Sequence, residues 1–224
     1  MAATTEGDAF NRALENVLCR QLPGFKSLIA CEQLTAGASQ ETWRIRIACN
    51  ADAGAQGTGE GGESLLALRR CQPSAQAHSS VGQISLDTEA RLFQLAAAAG
   101  IPGPGVRYVL QPEDGLGSGF LMEWLEGETL GHRIVRAEEL AAVRPALARE
   151  CGQILGRIHA LDWQSAGLAE VLPQVDPATL VDETWAAYRA LEVPVPMIDY
   201  SWRWLRANLP QQWRTTLVHG DFRN

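Results

Sequence analysis

Apolar residues recur at helical spacing over 8–21, where Phe10, Leu14, Val17 and Leu18 share one face and Pro23 with Gly24 ends the run. The spacing predicts an N-terminal helix. Two strand-like segments follow at 27–34 and 42–49, separated by the small residues of 35–39, which predicts a hairpin with a flexible tip. The stretch 50–63 is so rich in Gly and Ala that it can bury almost nothing, and a mobile loop is expected there before a third strand at 65–70. Ser85 has the side chain of an N-cap for a helix reaching about Ala99, with Asp87 and Glu89 near its positive end and Gly100 then Pro102 closing it. Two more strands, 106–110 and 119–124, joined by a turn at 112–115, complete an expected five-stranded antiparallel sheet carrying one helix.

Past Gly127 the period changes. Leu147, Cys151, Ile154, Leu155 and Ile158 form a helical stripe, with Pro145 at that helix's start or at a kink. Further helices are expected at 182–191 and 198–209, and a short β run at 215–218 leads into the terminal HGDFRN. No internal repeat is present. The order divides the chain into a sheet-rich lobe at 1–121, a hinge at 122–127 and a helical lobe at 128–224, an α+β, two-lobed arrangement with a cleft between.

Composition narrows the chemistry. With 46% hydrophobic and 20% charged residues, the chain can bury a core and is not of the disordered class. Its 19 Lys and Arg against 26 Asp and Glu leave a net charge of −7, which argues against nucleic acid or an anionic membrane as partner and suits a neutral or cationic small molecule. The five cysteines are scattered without CxxC spacing, so neither a zinc site nor a disulfide framework is expected. The start MAATTEGDAF has neither a basic nor an apolar run, and a cytoplasmic location is expected. Oligomeric state is not legible in the sequence.

Candidate chemistry concentrates at the end of the chain, in LVHGDFRN. Alone, an Asp beside a Gly is more often a turn cap than a base. Here it comes after LTAGASQETWRIRI, LALRR, FLMEWLEGETL and LGRIHALDW, in that order. The five segments resemble the aminoglycoside phosphotransferase and choline kinase-like family, of protein-kinase-like fold. The nearest likeness is to the branch with the kinase-like part of some acyl-CoA dehydrogenases. The resemblance spans almost the whole chain and implies transfer of the γ-phosphoryl group of ATP, with Mg2+, to a hydroxyl of a small molecule.

Carried over residue by residue, it implies that Asp221 is the catalytic base, since transfer to an alcohol needs a carboxylate to orient the hydroxyl and accept its proton. His219 then supports that loop, and Arg223 either stabilises the transferred charge or is a surface arginine. Gly37, Ala38 and Ser39 fall in the nucleotide-positioning turn, where small residues let backbone N–H groups approach phosphate. Strand alternation puts Ala67 and Arg69 on one face of the third strand and Leu66, Leu68 and Arg70 on the other. Arg69 stands where such kinases usually carry a lysine for the α and β phosphates; it keeps the charge but binds as a fork, so alignment differs. Glu89 matches that cation's partner, and Glu123, Trp124 and Leu125 match the hinge that meets the adenine edge. In the family pattern the magnesium ligands follow Asn224, so these 224 residues are expected to be a fragment with little activity of its own.

Two readings of function follow: a small-molecule kinase, or a nucleotide- or metabolite-binding module of pseudokinase type. The acceptor stays open among aminoglycosides, choline, homoserine, sugars and hydroxyacyl thioesters. His159 is read as interacting with the carbonyls of its own helix end, and the seven tryptophans as packing.

Overall fold

The computed structural model describes residues 2–36, 40–50, 62–71 and 84–222. Helix α1 (Ala2–Gln21) leads into strands β1 (Phe25–Ala36), β2 (Glu41–Cys49) and β3 (Glu63–Cys71), then α2 (Leu86–Ala98), β4 (Val106–Val109) and β5 (Ser118–Glu123). The helical part holds α3 (Gly131–Arg136), α4 (Arg144–His159), α5 (Pro177–Ala190) and α6 (Pro196–Ala207). The fold is α+β, as the sequence pattern predicts.

The sheet runs β1-β2-β3-β5-β4 with every neighbouring pair antiparallel. Register decides its two faces. Ile45 pairs with Leu66, Trp43 with Leu68 and Glu41 with Arg70, and this face meets Leu14, Val17 and Leu18 of α1, all at 0% exposure. The opposite face carries Arg44 across from Ala67, Thr42 across from Arg69, and then Phe120 and Met122. Over it α2 packs Leu86 and Ala90 against Phe120. Burial of a leucine side chain contributes about 2 kcal/mol, so the α1 face, with several, is the main hydrophobic anchor. The N-terminal helix is therefore a second cover on the sheet rather than an appendage.

Local chemistry explains the ends. Ser85 Oγ accepts the Thr88 N–H at 3.1 Å and caps α2, while Asp87 and Glu89 occupy its first turn. The turn at 112–115 is a short 3-10 helix ended by Gly115 at φ 69°, a conformation that suits glycine. Pro145 opens α4 rather than kinking it, and Pro177 and Pro196 open α5 and α6, both of which begin before the stretch where apolar spacing first suggests them.

One expectation fails. Residues 215–218 form no strand, because a β segment needs a partner ladder and none of the described residues pairs with them. α3 and the 3-10 turn Glu138–Leu140 were not foreseen, being too short for a periodic signal. The expected hairpin tip at 37–39 and most of the 50–63 loop lie outside the described residues.

The two halves meet beside α2. Arg157 of α4 donates to the Gly100 carbonyl at 3.0 Å, and Arg91 of α2 donates to the carbonyls of Ala166 and Gly167 at 3.0 and 2.9 Å. Within the helical part, α5 and α6 join through stacked Trp185 and Trp202 rings, centroids 4.6 Å apart. Among the described residues no helix is long and apolar enough to cross a membrane.

Candidate active site

Arg69 reaches the cleft face because it sits two residues from Ala67 on β3, and Glu89 meets it because the capped first turn of α2 lies over that strand. Arg69 Nε and Glu89 Oε1 are 3.2 Å apart, an ion pair at contact distance whose line falls outside hydrogen-bond geometry. The directed bond of this guanidinium runs instead from Nη2 to Gln40 Oε1, 2.8 Å away. Burial raises the Glu89 pKa, and the Arg69 charge opposes that rise. The arginine is thus held from two sides, by α2 and by the start of β2.

A cavity of about 420 Å³ opens beside this pair, between α2, α4 and the C-terminal segment. Phe93, Ile154 and Ile158 give it an apolar wall, while Arg69, Glu89 and His219 bring its polar groups. Phe222 also lines it, with His219 against its ring edge at 5.4 Å between centroids. Gly220, at φ 79°, turns the chain between them. The Asp221 N–H points to His219 Nδ1 at 3.3 Å, so this histidine has an acceptor nitrogen toward the backbone of the residue it was read to support. Asp221 itself is exposed at that turn. The cavity thus has the Arg69–Glu89 pair on one side and His219 with Phe222 on the other; Asp221, Ala67 and residues 123–125 do not line it.

The hinge residues differ in what their side chains do. Glu123 turns away from the cleft: its carboxylate accepts from Gly105 N at 3.0 Å and pairs with Arg107 at 2.6 Å. That carboxylate is structural, and the Glu123 N–H is also engaged, donating to the Gly105 carbonyl at 2.9 Å. Trp124 donates its indole N–H to Glu126 Oε1 at 2.9 Å, and Leu125 is exposed. Ala67 is buried opposite Arg44 and Met122. Gly37, Ala38, Ser39 and Arg223 lie outside the described residues. Sequence reasoning missed Gln40 and Arg44; the available signal was register, since counting β2 against β3 places both beside Arg69 and Ala67.

These groups fit a nucleotide: a cation braced for phosphate, with small Ala67 on the same face of β3. For magnesium the fit is absent. Among the described residues no group of three or more His, Cys, Asp or Glu could hold a metal ion, and no residue here is assigned to one.

Comparison with known proteins agrees with the geometry. The chain is 31% identical over 223 residues to acyl-CoA dehydrogenase family member 10 of Mus musculus, a match covering 96% of this chain and 18% of that protein. It therefore spans less than a fifth of that relative's length. The fold is shared with the crystal structure of "a putative aminoglycoside phosphotransferase" from Ralstonia eutropha JMP134, with TM-score 0.63 and 20% identity over 90% of this chain and 54% of that one. With residues 31–224 matching the model of the phosphotransferase enzyme family, the chain belongs to that family.

Proposed function

We propose that this chain forms the nucleotide-binding and catalytic-turn part of an ATP-dependent kinase that phosphorylates a hydroxyl of a small molecule. The observation that carries the reading is the Arg69–Glu89 pair on one wall of a cavity whose other wall bears His219, two residues before Asp221. When bound, ATP supplies the γ-phosphoryl group. Arg69 would grip its phosphate oxygens, and Glu89 with Gln40 would hold the guanidinium in place. The hinge backbone just past Glu123, at 124–125, would meet the base edge near Ala67. Asp221 would orient the acceptor hydroxyl and take its proton as the new oxygen–phosphorus bond forms and the bond from the γ-phosphorus to ADP breaks, while His219 keeps the turn in shape. The net charge of −7 supports a neutral or cationic acceptor, with neither nucleic acid nor an anionic membrane as partner; a cytoplasmic setting belongs to the same reading.

Label transfer from γ-labelled ATP to one of a panel of hydroxylated acceptors by the full-length protein tests this. Asp221→Asn is expected to lower the rate about 10² to 10⁴-fold while leaving ATP affinity within about twofold. ATP binding without transfer to any acceptor would favour a binding module; absence of ATP binding would overturn the nucleotide reading itself.

A further inference from the structure

The cleft face of the sheet carries a second arginine that the family-based assignment leaves unused. α2 covers this face over β3, β4 and β5. The β2 portion, with Arg44 opposite Ala67, extends the same face beyond it. Arg44 Cζ stands 5.2 Å from the centroid of the Trp124 ring, the first residue after β5. That ring is itself oriented by its bond to Glu126. Arg44 Nε is shielded from solvent and has no hydrogen-bond partner among the described residues. What holds the guanidinium is thus its packing over the indole rather than a directed bond to Nε. Glu126, Trp124 and Arg44 form a relay from the hinge to the roof strand, passing beside the alanine at which an adenine ring would rest.

We propose that Arg44 is a positioning residue for the nucleotide base: resting on Trp124, it ties β2 to the hinge and sets the width of the slot beside Ala67. The proposal rests on the nucleotide reading above and adds a determinant of base affinity separate from the phosphate grip of Arg69. A cation–π contact of this kind contributes at the modest level expected of a half-buried pair, which corresponds to a change in affinity of about three- to tenfold.

Calorimetric titration of the full-length protein with adenosine and with ATP separates the possibilities. Arg44→Gln and Trp124→Leu are each expected to raise Kd for both ligands by the same factor, about three- to tenfold, and the double variant no further. Arg44→Lys, which keeps a cation over the ring, should stay within about twofold of the parent. Arg69→Met should weaken ATP alone and leave adenosine almost unchanged. A purely structural role would lower the melting temperature of Arg44→Gln without altering adenosine affinity, and that result overturns the proposal. Additive losses in the double variant also overturn it. If Arg44→Gln does not fold, Arg44→Lys set against Trp124→Leu decides: equal losses in both refute the relay. Failure of the parent chain to bind either ligand would remove the nucleotide reading and this inference together, whereas ATP binding that is indifferent to Arg44 removes the inference alone.

Discussion

Glu89 Oε1 on α2 stands 3.2 Å from Arg69 Nε on β3, with the glutamate side chain 20% exposed and the arginine 36%. Because both are partly wet, the pair contributes little to stability, and its weight falls on orientation. Arg69→Met is expected to raise Kd for ATP by about ten- to hundredfold, the scale of lost charge-assisted bonds to phosphate. Glu89→Gln, which leaves the cation but loosens it, should raise Kd by a smaller factor. Titration calorimetry with ATP checks both.

The same glutamate has a pH signature. Its pKa in the folded chain is raised above the ordinary glutamate value, by burial first and against the pull of Arg69. The folded state therefore holds this proton more tightly than the unfolded chain. Its contribution to stability is fully present below the unfolded pKa and is lost as pH rises through the folded one. Glu89→Gln should accordingly be at least as stable as the parent at pH 8, and its melting temperature should fall less between pH 4 and pH 8. Thermal melts across that range decide; a variant that is less stable at pH 8 would contradict the assignment.

Gly119 lies against β3 where no side chain fits. A Cβ there would stand 2.3 Å from the Arg69 carbonyl oxygen and 2.8 Å from Arg70 Cα, backbone atoms that cannot move aside cheaply. Gly119→Ala is expected to cost about 3 kcal/mol or to shift β3 against β5. Since that shift carries Arg69 with it, urea unfolding and ATP affinity should change together.

Arg70 is the buried counterpart of Arg69, one residue on and facing the other way. Its Nε donates to Glu41 Oε2 at 2.7 Å, its Nη1 to the Leu116 carbonyl at 3.2 Å, and its guanidinium lies 4.3 Å from the Phe10 ring centroid. Both partners of this ion pair are only 10% exposed at the side chain. Arg70→Met leaves a buried carboxylate behind and is expected to cost about 3 to 5 kcal/mol by urea unfolding. The paired change Glu41→Leu with Arg70→Met should recover part of that loss, because it removes both charges at once.

Ser85→Ala removes the hydroxyl that caps α2 and is expected to cost about 1 kcal/mol. As α2 presents Glu89 from its first turn, a small loss of ATP affinity should accompany the loss of stability. A variant with parent-like stability would show that packing on Phe120, not the cap, holds the helix start.

Much of the sheet was legible because its signals are local. Alternation along β3 separates Ala67 and Arg69 from Leu66, Leu68 and Arg70, and the structure keeps that division. The Ser85 cap and the Gly100 stop bound α2 to within a residue. The 215–218 segment was misread for the complementary reason: its residues favour extended backbone, but a strand exists only where another supplies hydrogen bonds. Glu123 was read for its place at the hinge, yet its carboxylate serves Gly105 and Arg107, neighbours that only chain reversal brings near.

The sequence alone determined most of the order of helices and strands around the sheet and the two faces of β3, because periodicity and capping act over a few residues. Tertiary structure decided which of those residues meet. It set Glu89 and Gln40 around one guanidinium, put α1 rather than solvent on the second face of the sheet, and laid Arg44 on Trp124. Each of these depends on strand register and helix placement, which many weak contacts fix together and no single stretch of chain encodes.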